Sequence, residues 1–245
     1  MNEIEKFKAE VMQNIKGLEQ DADVQALSRI WVREVSRYQY TYNFTWMGRP
    51  IIQTPQDMVA MQEIIWATKP DLIIETGIAH GGSLIYYASL MEMMGLDGYV
   101  LGIDIDIRAH NKTEIDAHPM RKRIEMIQGS SIAPETVAAV TEHVKAKKSV
   151  LVVLDSNHTH DHVLHELQLY SPFVTLNNYL VAYDTLVEDM PADLMNPDRP
   201  WGKGNNPKTA VWEFLKSNSQ FVIDKTIEAK ILITVAPDGY LKRVA

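Results

Sequence analysis

Cysteine is absent from all 245 residues, which excludes disulfides, thiolate-bound metals and a cysteine nucleophile. No apolar run approaches the roughly 20 residues that a membrane-spanning helix needs, so no membrane partner is expected. The opening stretch MNEIEKFKAE mixes both charges and lacks an apolar signal segment, and the cytoplasm is the expected compartment. Bases are in deficit, 24 against 32 acids, for a formal net charge of −8. A chain this acidic repels nucleic acid unless its bases cluster. The densest groups, Arg121 to Arg123 and Lys145 to Lys148, are short and read as solvated helix ends.

What the chain has is a core: 46% of its residues are hydrophobic, enough for one large α/β fold. Ile4, Phe7, Val11, Ile15 and Leu18 recur at helical spacing, and a second helix is expected over Val24 to Arg37. YQYTYNFTWMGRP then mixes aromatic and polar residues and reads as an ordered lid or crossing segment. Thr54-Pro55-Gln56-Asp57 is a helix start, with a capping hydroxyl, proline in the first turn and an acid at the positive end. From Asp71 the runs DLIIE, YVLGI, RIEMIQ, VLVVL and YLVAY alternate with helical stretches near 83–94, 134–147 and 161–169. That alternation predicts a doubly wound, mostly parallel sheet. The expected division is an N-terminal helical and aromatic segment, 1–53, before a Rossmann-like domain, 54–245. A proline-rich stretch over 186–207 is long enough to be functional or mobile. A further helix follows over Lys208 to Ser217, then FVID and KILITV as two strand-like runs, and a turn at Asp238-Gly239.

The loop IIETGIAHGGS lies at the carboxyl end of the first of these strands, where open α/β sheets bind ligands. Gly77 permits a sharp turn, and Gly81 and Gly82 would let a ligand approach a helix N-terminus. Ala79 stands where a dinucleotide fingerprint wants its middle glycine, and no lysine follows Gly82 as a phosphate loop requires. Both phosphate readings weaken. Asp104, ending the second strand, is placed to accept hydrogen bonds from ribose hydroxyls, although it could equally cap the following turn. The pair of loops favours a nucleoside-bearing ligand.

The segments WMGRPIIQTPQD, PDLIIETGIAHGGSLIYYASL, GIDIDIR, VLVVLDSNHTHDHVLHELQLYSP and DGYLKR resemble the cephalosporin hydroxylase family, from about Trp46 to the C-terminus. That family has the class I S-adenosylmethionine-dependent methyltransferase fold, and its metal site is similar to that of catechol-type O-methyltransferases. The resemblance implies cofactor contacts from Glu75, Gly77, Gly81, Ser83, Asp104, Gln128, Ser130, Ser131 and Asp155. It implies metal ligands at Asp155 and Asp184, with Thr185 beside them. Where relatives commonly carry Glu-Asp-Thr, this chain has Tyr183-Asp184-Thr185, which removes one oxygen ligand for magnesium.

His158, three residues beyond Asp155, occupies the place of the catalytic base in catechol-type enzymes, and imidazole exchanges protons near neutral pH. Asp155 and His158 are thus the expected catalytic pair. His160, His162 and His165 read as ordinary helix residues. An iron oxygenase needs two histidines and a carboxylate, usually beginning His-x-Asp/Glu, and no histidine here has an acid two residues on. The expectation is an O-methyltransferase that uses S-adenosylmethionine and magnesium on a small hydroxylated acceptor such as a glycoside or secondary metabolite. The alternatives are a non-catalytic S-adenosylmethionine-binding protein and an iron-dependent hydroxylase. Aromatic residues Tyr38, Tyr40, Tyr42, Trp46 and Trp201 could wall the acceptor pocket or simply pack. The N-terminal amphipathic helices need a surface to cover them, so a homo-oligomer is expected.

Overall fold

The computed structural model describes residues 2–245. Helices α1 (Glu3–Gln20) and α2 (Ala22–Ser36) open the chain. Asn2 forms a capping box with Glu5 on the first, and Asp21 caps the second through the Asp23 and Val24 amides. The aromatic segment that follows is a short 3-10 turn and a two-stranded hairpin, β1 (Phe44–Trp46) and β2 (Arg49–Ile51). Trp46 anchors this hairpin by donating its indole N–H to Ser89 at 2.9 Å.

Helix α3 (Pro55–Thr68) starts at the Thr54 cap, as its residues demand. The Rossmann alternation then runs β3 (Leu72–Thr76), α4 (Gly82–Met93), β4 (Tyr99–Asp104), α5 (Ala109–Ala117), β5 (Ile124–Gln128), α6 (Pro134–Val144), β6 (Val150–Leu154), α7 (His160–Tyr170) and β7 (Tyr179–Ala182). The last elements are α8 (Pro207–Ser217), β8 (Phe221–Ile223), α9 (Lys225–Ile231) and β9 (Tyr240–Arg243).

Seven strands form one sheet in the order β5-β4-β3-β6-β7-β9-β8. The first five are parallel, and β9 inserts antiparallel between β7 and β8. Side-chain alternation divides the core between the two faces. Ile73, Val100, Leu151, Val153 and Val181 pack against α3 and α4, while Leu72, Ile74, Leu101, Val152 and Leu180 pack against α7 and α8. The central parallel strands β3, β6 and β7 are buried on both faces, which is why their sequences read as largely apolar runs.

One expectation needs correction. KILITV is not a strand: Lys230 and Ile231 end α9, Leu232 turns at φ 59°, and 233–235 are irregular. Asp224 caps α9 through the Thr226 amide, and the sheet position is taken by β9, which follows the Asp238-Gly239 turn. The irregular stretch has its own reason. Asp57, fully buried, accepts hydrogen bonds from the Val235 amide at 2.9 Å, the Tyr240 hydroxyl at 2.7 Å, and the hydroxyls of Thr54 and Thr234. Burial pushes its carboxyl above the usual carboxylate range, and these donors pull it back. Asp57→Ala leaves these four donors without their acceptor and is expected to cost about 3 kcal/mol of stability. A urea-unfolding midpoint equivalent to less than about 1 kcal/mol of loss would contradict the role given to this carboxylate.

Candidate functional site

The sheet order reverses between β3 and β6, whose pairing sets Thr76 beside Leu154. The loops after these strands therefore leave the sheet side by side at its carboxyl edge. Gly77, at φ 92°, lies so close to the second loop that a Cβ there would sit 2.0 Å from the Asp155 carbonyl oxygen. Gly82 is equally constrained, since its Cβ would meet the Pro50 carbonyl of the hairpin at 2.1 Å.

The glycine loop is held in place before any ligand arrives. Asp104 accepts from the Ile78 amide at 2.8 Å and the Ala79 amide at 3.3 Å through one carboxylate oxygen. Its other oxygen accepts from the Asp106 amide at 2.9 Å, so it does hold the following turn. Each oxygen keeps lone-pair capacity for a ligand hydroxyl. Arg49 donates to the His80 carbonyl, and Asn111 donates to the Ala79 carbonyl at 2.8 Å. Ala79 itself adopts φ 45°, a left-handed conformation that these bonds impose on a residue with a Cβ.

These loops border a cavity of about 480 Å³, a volume typical of ligand sites. Of the residues expected to bind cofactor, Gly77, Ser83, Asp104, Ser130, Ser131 and Asp155 line it. Glu75, Gly81 and Gln128 do not. Gly81 faces Ile115 of α5, and Gln128 is exposed at the end of β5. Glu75 is wholly buried behind the cavity wall, where it accepts from Ser83 Oγ at 2.6 Å while its second oxygen has no partner. Loss of water pushes its carboxyl up to about 8, with the neighbouring Asp104 charge adding to the effect. The expected cofactor contact of Glu75 is thereby redirected: Ser83 reaches the cavity and Glu75 supports it.

Next to the glycine loop, Asp155, His158 and Asp184 bring one donor atom each to within 4.8 Å of one another. His158 Nε2 lies 3.3 Å from Asp184 Oδ2. Asp184 sits at φ 55°, one of the strained conformations that concentrate at functional sites. The Asp155 carboxyl is pushed far up, first by loss of water and then by the charges of Asp184, Glu75 and Glu166. Acidic oxygens crowded this closely suit a hard divalent cation, which would remove the repulsion. Thr185 lies outside the cluster, fully buried and donating to the Pro237 carbonyl at 2.6 Å. Tyr183, in place of an acid, is buried at the heart of the α3–α4 face. The cluster holds one histidine and two carboxylates, not the two histidines and one carboxylate of an oxygenase triad.

The proline-rich stretch crosses over this wall. Trp201 meets His158 edge-on at 4.8 Å between ring centres, and Arg199 stacks on Trp201 at 4.9 Å. Glu188 ties the stretch down by accepting from Gly204 and Asn206, and Lys208 pairs with Asp189 at 2.6 Å. Two residues escaped the sequence reading. His162 lines the cavity, with Nε2 3.1 Å from Ser131 Oγ and 3.5 Å from the buried carboxylate of Glu166. Its i,i+4 spacing to Glu166 was the available signal. His160, by contrast, joins α7 to α8 through Thr209 and Glu213, and His165 is exposed. Gln53 lines the cavity while buried, and neither polar atom of its amide has a protein partner.

A profile of the rhamnosyl O-methyltransferase/CmcI family matches residues 38–244. This chain belongs to that family. Among its relatives, the rhamnosyl O-methyltransferase of Mycobacterium tuberculosis is 30% identical over 206 residues, covering 81% of this chain and 78% of that one. That of Mycobacterium leprae is 32% identical over 152 residues, spanning 60% of this chain and 62% of the relative. A solved CmcI structure with Mg and SAM matches the fold at a TM-score of 0.58 and 20% identity, covering 83% of this chain and 78% of that one. The rhamnosyl O-methyltransferase/CmcI family member described here thus has the Rossmann-like methyltransferase fold.

Glu75 gives this site a testable pH signature. Its folded pKa, about 8, exceeds the ordinary 4.5, so its contribution to stability is complete below 4.5 and is lost as pH rises towards 8. Glu75→Gln should leave stability near pH 4 almost unchanged and flatten the decline above it, which amounts to about 1 kcal/mol per pH unit. Parallel melting curves for the two proteins across that range would rule out the buried neutral carboxyl.

Proposed function

We infer that this chain transfers a methyl group from S-adenosylmethionine to a hydroxyl oxygen of a small hydroxylated molecule, a glycoside or similar secondary metabolite. The single observation that carries this reading is the meeting of Asp155, His158 and Asp184 in the same cavity as the Gly77 and Asp104 loops. The rhamnosyl O-methyltransferase relatives support a sugar hydroxyl as the acceptor.

Asp104, Ser83, Ser130 and Ser131 offer the cofactor's ribose and polar ends acceptors and donors from fixed loops. When bound, S-adenosylmethionine would supply the electrophilic methyl carbon, its sulfur keeping the electron pair of the broken C–S bond, and a magnesium ion held by Asp155 and Asp184 would favour the ionised acceptor oxygen. His158 takes the proton of the acceptor hydroxyl while an oxygen lone pair forms the new C–O bond. Asp184, 3.3 Å from His158 Nε2, stabilises the resulting imidazolium. Trp201 covers His158 and keeps bulk water from the reacting oxygen. Self-association through exposed Ile4, Phe7 and Leu27 of α1 and α2 accompanies this reading.

The test is formation of S-adenosylhomocysteine with a rhamnoside acceptor, with magnesium and after chelation. Asp155→Asn and Asp184→Asn should each reduce turnover by about two orders of magnitude or more. Both should still bind S-adenosylhomocysteine in calorimetry. Full turnover in either variant, or in the chelated wild type, would overturn the metal-assisted mechanism.

A further inference from the structure

Among the described residues two arginines line the cavity, and their settings differ. Arg108 belongs to the loop after β4 and lies 4.0 Å from the Asp106 carboxylate. Arg199 belongs to the proline-rich stretch beside His158, and among the described residues it pairs with no carboxylate. Two acids of its own stretch are engaged by other donors. Glu188 accepts from Gly204 and Asn206, and Asp189 pairs with Lys208. In a chain of net charge −8, a guanidinium left without a carboxylate at a cavity wall offers its donors to an anion from outside.

The guanidinium is also held in place. It stacks over Trp201 at 4.9 Å, and Trp201 meets the His158 ring at 4.8 Å. Stacking restrains the side chain yet leaves its N–H donors free in the plane of the fork, where they can meet two oxygens of a carboxylate or phosphate at once. The backbone beneath is pinned from both sides. The Arg199 amide donates to the Asn196 carbonyl at 3.1 Å, and the Pro200 carbonyl accepts from Asn205 Nδ2 at 2.9 Å. Asn205 Oδ1 in turn accepts from the His160 amide at 2.9 Å, which ties this segment to the start of α7, two residues beyond His158. A hydroxyl held at His158 therefore has the guanidinium two ring contacts away, a separation that a substituent on the same ring or on its first linkage spans.

We propose that Arg199 is a specificity-determining residue that takes an oxyanion of the methyl acceptor, so that the preferred substrate carries a carboxylate or phosphate on the methylated ring or one linkage from it. The inference rests on the O-methyltransferase reading for the identity of the acceptor, but the anion contact is read by binding alone.

Matched sugars are titrated calorimetrically into the protein with magnesium and S-adenosylhomocysteine present. The methyl glycoside of D-glucuronate against methyl α-D-glucopyranoside isolates a carboxylate, and L-rhamnose 1-phosphate against methyl α-L-rhamnopyranoside isolates a phosphate. The anionic member of at least one pair should bind about tenfold more tightly than its neutral counterpart, a margin that a charge-assisted fork of hydrogen bonds supplies. Arg199→Gln should remove that margin, and Arg108→Gln should keep it. The proposal is overturned if neither anionic sugar binds more tightly than its neutral counterpart, if the margin survives Arg199→Gln, or if Arg108→Gln removes it as fully. Inorganic phosphate or acetate binding as tightly as the sugar that bears the same group also overturns it. Binding through Arg199 with no S-adenosylhomocysteine formed from S-adenosylmethionine and either anionic sugar keeps the contact and counts against the O-methyltransferase reading instead.

Discussion

The contact on which the rest of this molecule depends is the approach of Gly77 to the backbone of Asp155. Two parallel strands at the centre of the sheet end together, and their loops touch with no room for a side chain between them. One loop carries the glycine turn that Asp104 fixes by accepting backbone amides. The other carries Asp155 and, three residues on, His158. Packing these loops against each other sets the distance between the cofactor wall and the acidic cluster. A shift of either strand would displace both halves of the site at once, which is the kind of misplacement that position-sensitive chemistry tolerates least.

Around that contact the chain invests in rigidity. Arg49 and Asn111 hold the glycine loop from two different elements, so that Ala79 keeps a conformation more natural to glycine. Asp57 gathers donors from Thr54, Thr234, Val235 and Tyr240, binding the start of α3 to the irregular stretch after α9. That stretch brings Val235 to the wall of the main cavity. That part of the cavity wall is thereby fixed by a buried carboxylate that does not itself line the cavity.

The sequence revealed most where its signals were local and periodic. Five apolar runs became the five parallel strands, and the Thr54-Pro55 start gave α3 its observed cap. The strand-like reading of KILITV failed because apolar content alone does not distinguish a short helix end from a strand. Tertiary pairing by β9 decided the matter. Among the site residues, Asp155, His158 and Asp184 could be placed through the family resemblance, on the loops that leave β6 and β7. Glu75 showed the limit of that logic: its position after an apolar run was evident, but whether it faced the cavity or the core depended on packing. His162 and Gln53 were missed for a related reason. Each reaches the cavity from an element whose orientation only the assembled fold specifies.

The acidic cluster unites these points, because the two carboxylates of Asp155 and Asp184, drawn together near Glu75 and Glu166, make a site that a cation completes. Anomalous diffraction from crystals grown with manganese and S-adenosylhomocysteine tests this most directly. The account predicts one strong manganese peak held by Asp155 and Asp184, beside His158, with the nucleoside against Asp104. Manganese bound elsewhere, or no ordered ion beside an occupied nucleoside site, would contradict it.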